Sequence, residues 1–252
     1  MIVTTAQEIL HLRRAGRVTA KALNVAKCLV QAGMSTAELD KIIEDVIRHE
    51  GCKAAFKKVA GYAHASCISI GPEVVHGVPD KNRIIQPGDL VSIDTGAIYN
   101  GYYSDAAISL VIPPASEEAL ALVHLTESAL RFAIQAAVAG GVTGIITRAI
   151  VDTTYGHNAN PIKNYAGHGV GTSLHEGPTI PNYSADKLNP ELFNKIEPGM
   201  VLAIEPMITL GTGDTEVLPN GWTVVTTDRK LAAHAELTIL VTEQGIEILS
   251  KE

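Results

Sequence analysis

The segments Gln86–Asp94 (QPGDLVSID) and Glu197–Glu205 (EPGMVLAIE) follow one pattern, x-Pro-Gly-x-aliphatic-aliphatic-x-Ile-acid, in one register and 111 residues apart. A Pro-Gly turn feeding a short apolar run reads as a loop entering a buried strand. Each run closes on a carboxylate, and a buried carboxylate without a partner is expensive. Two acids placed alike in two copies therefore point to one shared cation site.

The likeness extends beyond these nine residues. Asn100-Gly101 follows the first copy and Asn220-Gly221 the second, and Asn-Gly is the strongest short hairpin signal because a primed turn needs positive φ at both central positions. Both strands are expected to turn back, and each returning strand carries an acid, Asp105 and Glu236. Upstream, Ser35 and Thr143 each precede an amphipathic run and read as N-caps. Helix, helix and acidic hairpin thus occur twice, which predicts a duplicated α+β chain with an antiparallel sheet, outer helices and a central site between the halves.

A two-residue turn at Asn100-Gly101 pairs residues whose numbers sum to 201, so Asp94 faces Ala107 and Asp105 lies two residues along on the same face. The same rule at Asn220-Gly221 gives a sum of 441, which pairs Glu205 with Glu236, although Gly211-Thr-Gly and Asp228-Arg-Lys interrupt that longer hairpin. A lone strand acid reads more readily as an exposed or ion-paired residue; four acids in two matched hairpins do not.

A carboxylate site for a borderline transition metal also wants nitrogen. His168 stands in the glycine-flanked stretch Asn164–Gly171, where backbone can approach a ligand closely. Taken alone it reads equally well as a buried, hydrogen-bonded histidine. His76 precedes the first repeat as His168 precedes the second, and both sit in a His-Gly-Val triplet. The histidines at 11, 49, 64, 124, 157 and 234 have no such context and read as surface or helix residues.

No Ser-, Pro- or charge-rich linker divides the 252 residues, so residues 1–252 are expected to form a single domain. The N-terminal stretch reads as an amphipathic helix interrupted by Arg13 and Arg14 rather than a signal peptide, and no apolar run reaches the ~18 residues of a membrane span. A net charge of −7 argues against nucleic acid as a required partner. Three widely spaced cysteines (28, 52, 67) suggest reduced thiols in a cytoplasm, not a disulfide framework or zinc knuckle.

Over nearly its whole length the chain resembles the type I methionine aminopeptidases of the pita-bread (creatinase/aminopeptidase) metallopeptidase fold. The likeness is carried by Cys67-Ile-Ser-Ile, by the residues around His76, by Asp94 and Asp105 eleven apart, by Gly167-His-Gly-Val-Gly with His175-Glu176, by Ile204-Glu205-Pro206-Met207, and by Gly221-Trp222-Thr223 running to Arg229. It implies two divalent ions (Mn, Fe(II), Co or Zn): Asp94 as a bidentate ligand of one, Asp105 and Glu236 as bridges, and His168 and Glu205 on the second. His76, His175 and Glu205 are then the catalytic groups, and Tyr62, Cys67, His76, Leu174 and Trp222 line a pocket suited to a thioether.

The implied activity is removal of N-terminal methionine from peptides and nascent proteins with a small second residue. A proline-directed or broader-specificity aminopeptidase of the same fold is the alternative, and a metal-free protein that binds nascent chains is a more distant one. The expected partners are a peptide or nascent-chain N-terminus and, transiently, the ribosome, for a cytoplasmic monomer that needs neither nucleic acid nor membrane. Val75 and Ala166 stand where the family usually has Cys, Thr172 where Arg is common, and Glu236 lies between Ala235 and Leu237 rather than an aromatic residue and a His. Weaker support of Glu236 predicts lower metal affinity. Phe56 and Val59 also stand where the family often has other side chains near the pocket.

Overall fold

The two Pro-Gly repeats enter strands as the sequence predicts, Leu90–Tyr99 and Val201–Ile204, each after a left-handed glycine, Gly88 (φ 88°) and Gly199 (φ 87°). The structure, a computed structural model, describes residues 1–251. Each half contributes two helices: α1 (Ala6–Leu29) and α2 (Thr36–His49), then α3 (Glu117–Ala136) and α4 (Thr143–Thr154). The loops before α2 and α4 are tied in matching ways: Gly33 N–H donates to Ile85 O at 2.9 Å, and Gly140 N–H to Ile196 O at 2.8 Å. These matched links are the tertiary trace of the duplication.

Ser35 caps α2 as expected, accepting from Glu38 N–H while the Glu38 carboxylate accepts from Ser35 N–H, an arrangement whose cap is worth ~1 kcal/mol. Thr143 is not a cap. It is the first residue of α4, Val142 occupies the cap position, and the Thr143 hydroxyl donates to Glu191 O instead. The structure spends this hydroxyl on tying the helix to the 190s loop.

Asn100 (φ 48°) and Gly101 (φ 86°) form the primed turn, and Leu90–Tyr99 pairs with Tyr102–Val111 in the sum-201 register throughout, Asp94 opposite Ala107. Asn220-Gly221 differs from its expected role. It lies in the middle of a six-residue loop between Thr215–Val217 and Val224–Thr226, with Asn220 Oδ1 accepting from the N–H groups of Trp222 and Thr223. The sum-441 register nonetheless holds in three separate pieces, Thr215↔Thr226, Met207↔His234 and Leu237↔Ile204. The interruptions bend the long hairpin without slipping it.

The main sheet is antiparallel and runs from the Leu90–Val111 hairpin through Glu236–Thr242 and Val201–Ile204 to Ala166–Gly169 and Glu176–Pro181. Strand alternation sorts its residues. Val91, Ile93, Ala97 and Ala106 pack against Leu23, Ala26, Ile43 and Ile47 of α1 and α2, while Leu202, Ile204, Ile239 and Val241 pack against Leu130, Ile134, Ile146 and Ile150 of α3 and α4. The residues between them face the other way. Asp94, Asp105 and Glu236 are therefore all delivered to the sheet face opposite the helices. Among the described residues no helix is long and apolar enough to cross a membrane.

Candidate metal centre

Four carboxylates and an imidazole converge on that face. Asp94 and Asp105 sit diagonally on one hairpin, Glu236 pairs with Ala107 beside them, and Glu205 follows the strand Val201–Ile204. His168, paired with Ala203, completes the group. Its Nε2 lies 3.2 Å from Glu205 Oε1 and 4.0 Å from Asp105 Oδ2. Its Nδ1 lies 2.9 Å from Gly169 O, and a proton donated there leaves the Nε2 lone pair free for a cation.

The centre is almost dry: Asp105 is 4% exposed, Glu205 9% and Glu236 2%. Burial first, and then the neighbouring carboxylates, push Asp94, Asp105 and Glu236 well above the ordinary carboxylate range. Burial also raises Glu205, with His168 partly offsetting it. Burial opposes protonation of His168, but the hydrogen bond and charge of Glu205 outweigh it and hold the imidazole above its usual range.

Asp94 Oδ1, Asp105 Oδ1 and Glu236 Oε1 are buried and have no hydrogen-bond partner. Buried polar atoms are nearly always satisfied, and unpaired buried charge costs several kcal/mol per ion. Two overlapping donor sets, Asp94–Asp105–Glu236 and His168–Glu205–Glu236, each bring three ligand atoms within 4.8 Å of one another. Oxygen-rich sets with one imidazole suit a divalent cation of the first transition row, so the residues present fit such a group.

An apolar slot opens above these acids, with Phe56, Val59, Tyr62, Cys67, Leu174 and Trp222 in its wall. The Tyr62 and Trp222 rings meet at 5.0 Å and 60°. Tyr62 donates to Ser66 O at 2.8 Å and accepts from the Cys67 thiol at 3.2 Å, which fixes the ring. Burial holds that thiol protonated, so Cys67 is wall and not nucleophile. His76 and His175 border the same cavity. His76 stands in the left-handed region (φ 58°), and burial lowers its pKa. Burial, then His168 and His76, bring His175 down to about 4, leaving it a neutral ring whose centroid is 4.5 Å from that of His168.

The cavity thus brings together every residue singled out in the sequence: Tyr62, Cys67, His76, Asp94, Asp105, His168, Leu174, His175, Glu205, Trp222 and Glu236. It also contains His234, which the sequence reading left among surface and helix residues. His234 is 2% exposed, on a strand, with Nε2 3.6 Å from Glu205 Oε2 and 3.9 Å from Glu236 Oε2. Burial, with His76 and His168 adding to it, takes its pKa to about 3. The spacing His234-Ala-Glu236, which puts both on one face of extended chain, was the available signal.

The family model of metallopeptidase family M24 matches residues 11–243. The chain belongs to this family. Among its M24 relatives, the methionine aminopeptidase of Aquifex aeolicus is 42% identical over 97% of this chain and 96% of its own length. That of Clostridium acetobutylicum is 38% identical over 99% and 98%. The crystal structure of the Thermotoga maritima methionine aminopeptidase superposes with a TM-score of 0.95 at 38% identity, covering all of both chains. The prolidase of Pyrococcus furiosus, at 27% identity and a TM-score of 0.77, covers all of this chain but 66% of the prolidase. The pita-bread fold is common to these M24 structures.

Proposed function

We propose that this M24 metallopeptidase is a methionyl aminopeptidase, removing N-terminal methionine from peptides and nascent chains whose second residue is small, and that residues 1–252 act as one catalytic domain. The observation that carries this reading is a cluster of buried carboxylates with partnerless oxygens in one cavity with an apolar wall of Phe56, Val59, Tyr62, Cys67, Leu174 and Trp222. Four carboxylates carry −4 when ionised, which two divalent ions neutralise. Asp94, Asp105 and Glu236 would hold one ion, and His168, Glu205 and the bridging acids the other, with Mn, Fe(II), Co or Zn as suitable metals. When bound, such a pair supplies Lewis-acid polarisation of the scissile carbonyl and activation of water.

The chain's own groups do the rest. Glu205 takes the proton of the attacking water and passes it to the leaving amine. His175, kept neutral by partial desolvation and by the neighbouring His168 and His76, has one N–H to donate to the developing oxyanion. His76, across the slot, steadies the peptide behind the scissile bond. The thioether of methionine fits between Trp222, Tyr62 and Cys67, where a polarisable, flexible chain packs well on ring edges. One chain lines the whole cavity, so a monomer suffices, and the unpaired Cys28, Cys52 and Cys67 suit a reducing cytoplasm. A passing contact with the ribosome would bring nascent N-termini to the slot.

The test is kcat/KM for Met-Ala-Ser, Leu-Ala-Ser and Ala-Pro-Ala with Mn or Co added. Met-Ala-Ser is expected to be cut best, since one misplaced methylene in such a slot costs ~1–3 kcal/mol. Preference for Ala-Pro-Ala assigns the chain to the proline-directed branch, and equal rates on Met and Leu peptides make it a broad aminopeptidase.

A further inference from the structure

We propose that His234 donates its Nε2 to the cation held by His168 and Glu205, giving this centre a second imidazole donor. The inference rests on the metal centre assigned above and adds a residue to it. Glu205 lies between two rings: His168 Nε2 stands 3.2 Å from its Oε1, and His234 Nε2 3.6 Å from its Oε2 and 3.9 Å from Glu236 Oε2. The two His234 distances are too long for hydrogen bonds, and this Nε2 is buried with no partner. They suit a different relationship. Two donors each about 2.1 Å from one ion stand roughly 3.0–3.9 Å apart over ordinary coordination angles.

The backbone aims the ring. His234 pairs with Met207, its N–H donates to Ser109 Oγ at 3.0 Å, and the Ser109 hydroxyl donates to His234 O at 2.7 Å. Ser109 is itself in contact with Ser92 Oγ at 2.7 Å across the first hairpin, so the strand bearing Asp94 also registers the strand bearing His234. A second nitrogen at an otherwise carboxylate site shifts preference away from Mn and towards Co, Zn and Fe(II).

The experiment uses metal-free full-length protein reloaded with Co(II). Proton NMR of the Co(II) form reads coordinated imidazoles as exchangeable, strongly shifted ring N–H signals. Two are expected in the wild type, one removed by His168→Ala and the other by His234→Gln. Calorimetric titration is expected to show Co(II) and Zn(II) affinity falling in His234→Gln by at least the roughly 10–100-fold that even indirect partners of a metal cost, with Mn(II) affinity falling less. A single shifted N–H in the wild type, assigned by its loss in His168→Ala, overturns the inference and leaves the metal centre standing, whether or not the His234 variant folds. Unchanged Co(II) affinity and spectrum in a folded His234→Gln protein overturns it equally. Wild type that takes up no Co(II) overturns both this inference and the centre it rests on.

Discussion

Asp105 faces Gly96 across the first hairpin, and the bare α-carbon of Gly96 leaves the space that the aspartate side of the hairpin occupies. A Cβ on Gly96 would stand 2.5 Å from Ser104 O, 2.9 Å from Ala55 Cβ and 3.5 Å from Asp105 Oδ1. Two of these neighbours are fixed by backbone and core packing. The hairpin that carries both Asp94 and Asp105 is thus closed by a position that admits no side chain.

Gly96→Ala is expected to destabilise the metal-free protein by ~1–3 kcal/mol, the usual cost of overpacking, and to weaken metal binding because the strands separate under both aspartates. Urea unfolding and metal titration of the same variant check this. Stability and affinity equal to wild type would show that the hairpin absorbs the methyl group.

Removing the metal makes stability fall as pH rises. Asp94, Asp105 and Glu236 have folded-state pKa values above their unfolded ones, so the native state binds more protons and loses stability as pH climbs from about 4. His76, His175 (lowered to about 4) and His234 (lowered to about 3) act oppositely, but only below their unfolded value near 6.5. Above that, His168, held above its usual range by Glu205, adds to the carboxylate effect. Thermal unfolding of metal-free protein is expected to show a Tm declining from pH 6.5 to 8.5, with added Mn or Co raising Tm most at the alkaline end. A Tm that rises over this range without metal would contradict the charge assignment.

Asp94→Asn is expected to trade function for stability. It takes one charge from a buried like-charged cluster, so metal-free Tm rises, while metal content and turnover fall to background. His168→Ala lowers metal affinity, though Co(II) at saturating concentration still loads, and abolishes turnover without that gain in Tm. Elemental analysis beside calorimetry decides both, and near-normal metal and activity in either variant removes that residue from the centre.

His175→Ala is expected to lower kcat by about 10²–10³-fold, or ~2.7–4 kcal/mol, as loss of an oxyanion donor does, with metal occupancy unchanged. The neutral ring borders the cavity, its centroid 4.5 Å from that of His168. Loss of bound metal in this variant would make His175 a ligand instead.

What the sequence determined by itself was local and periodic. Asn-Gly at 100–101 requires positive φ, and that fixed the sum-201 register and the diagonal placing of Asp94 and Asp105. Alternation along strands then sent the aliphatic residues to the helices and the acids to the opposite face. Ser35 with Glu38 likewise carried its own cap. Three things only the tertiary structure decided. The Thr143 hydroxyl met Glu191 O rather than its own helix, Asn220 entered a six-residue loop, and His234 turned inward beside Glu205. Each depends on contacts between residues far apart in the chain: the interruptions near 211 and 228 bend the second hairpin, and Ser109, 125 residues away, clamps His234. Periodicity and turn chemistry are written in neighbouring residues, whereas the direction of a side chain after such a bend is set by what packs against it.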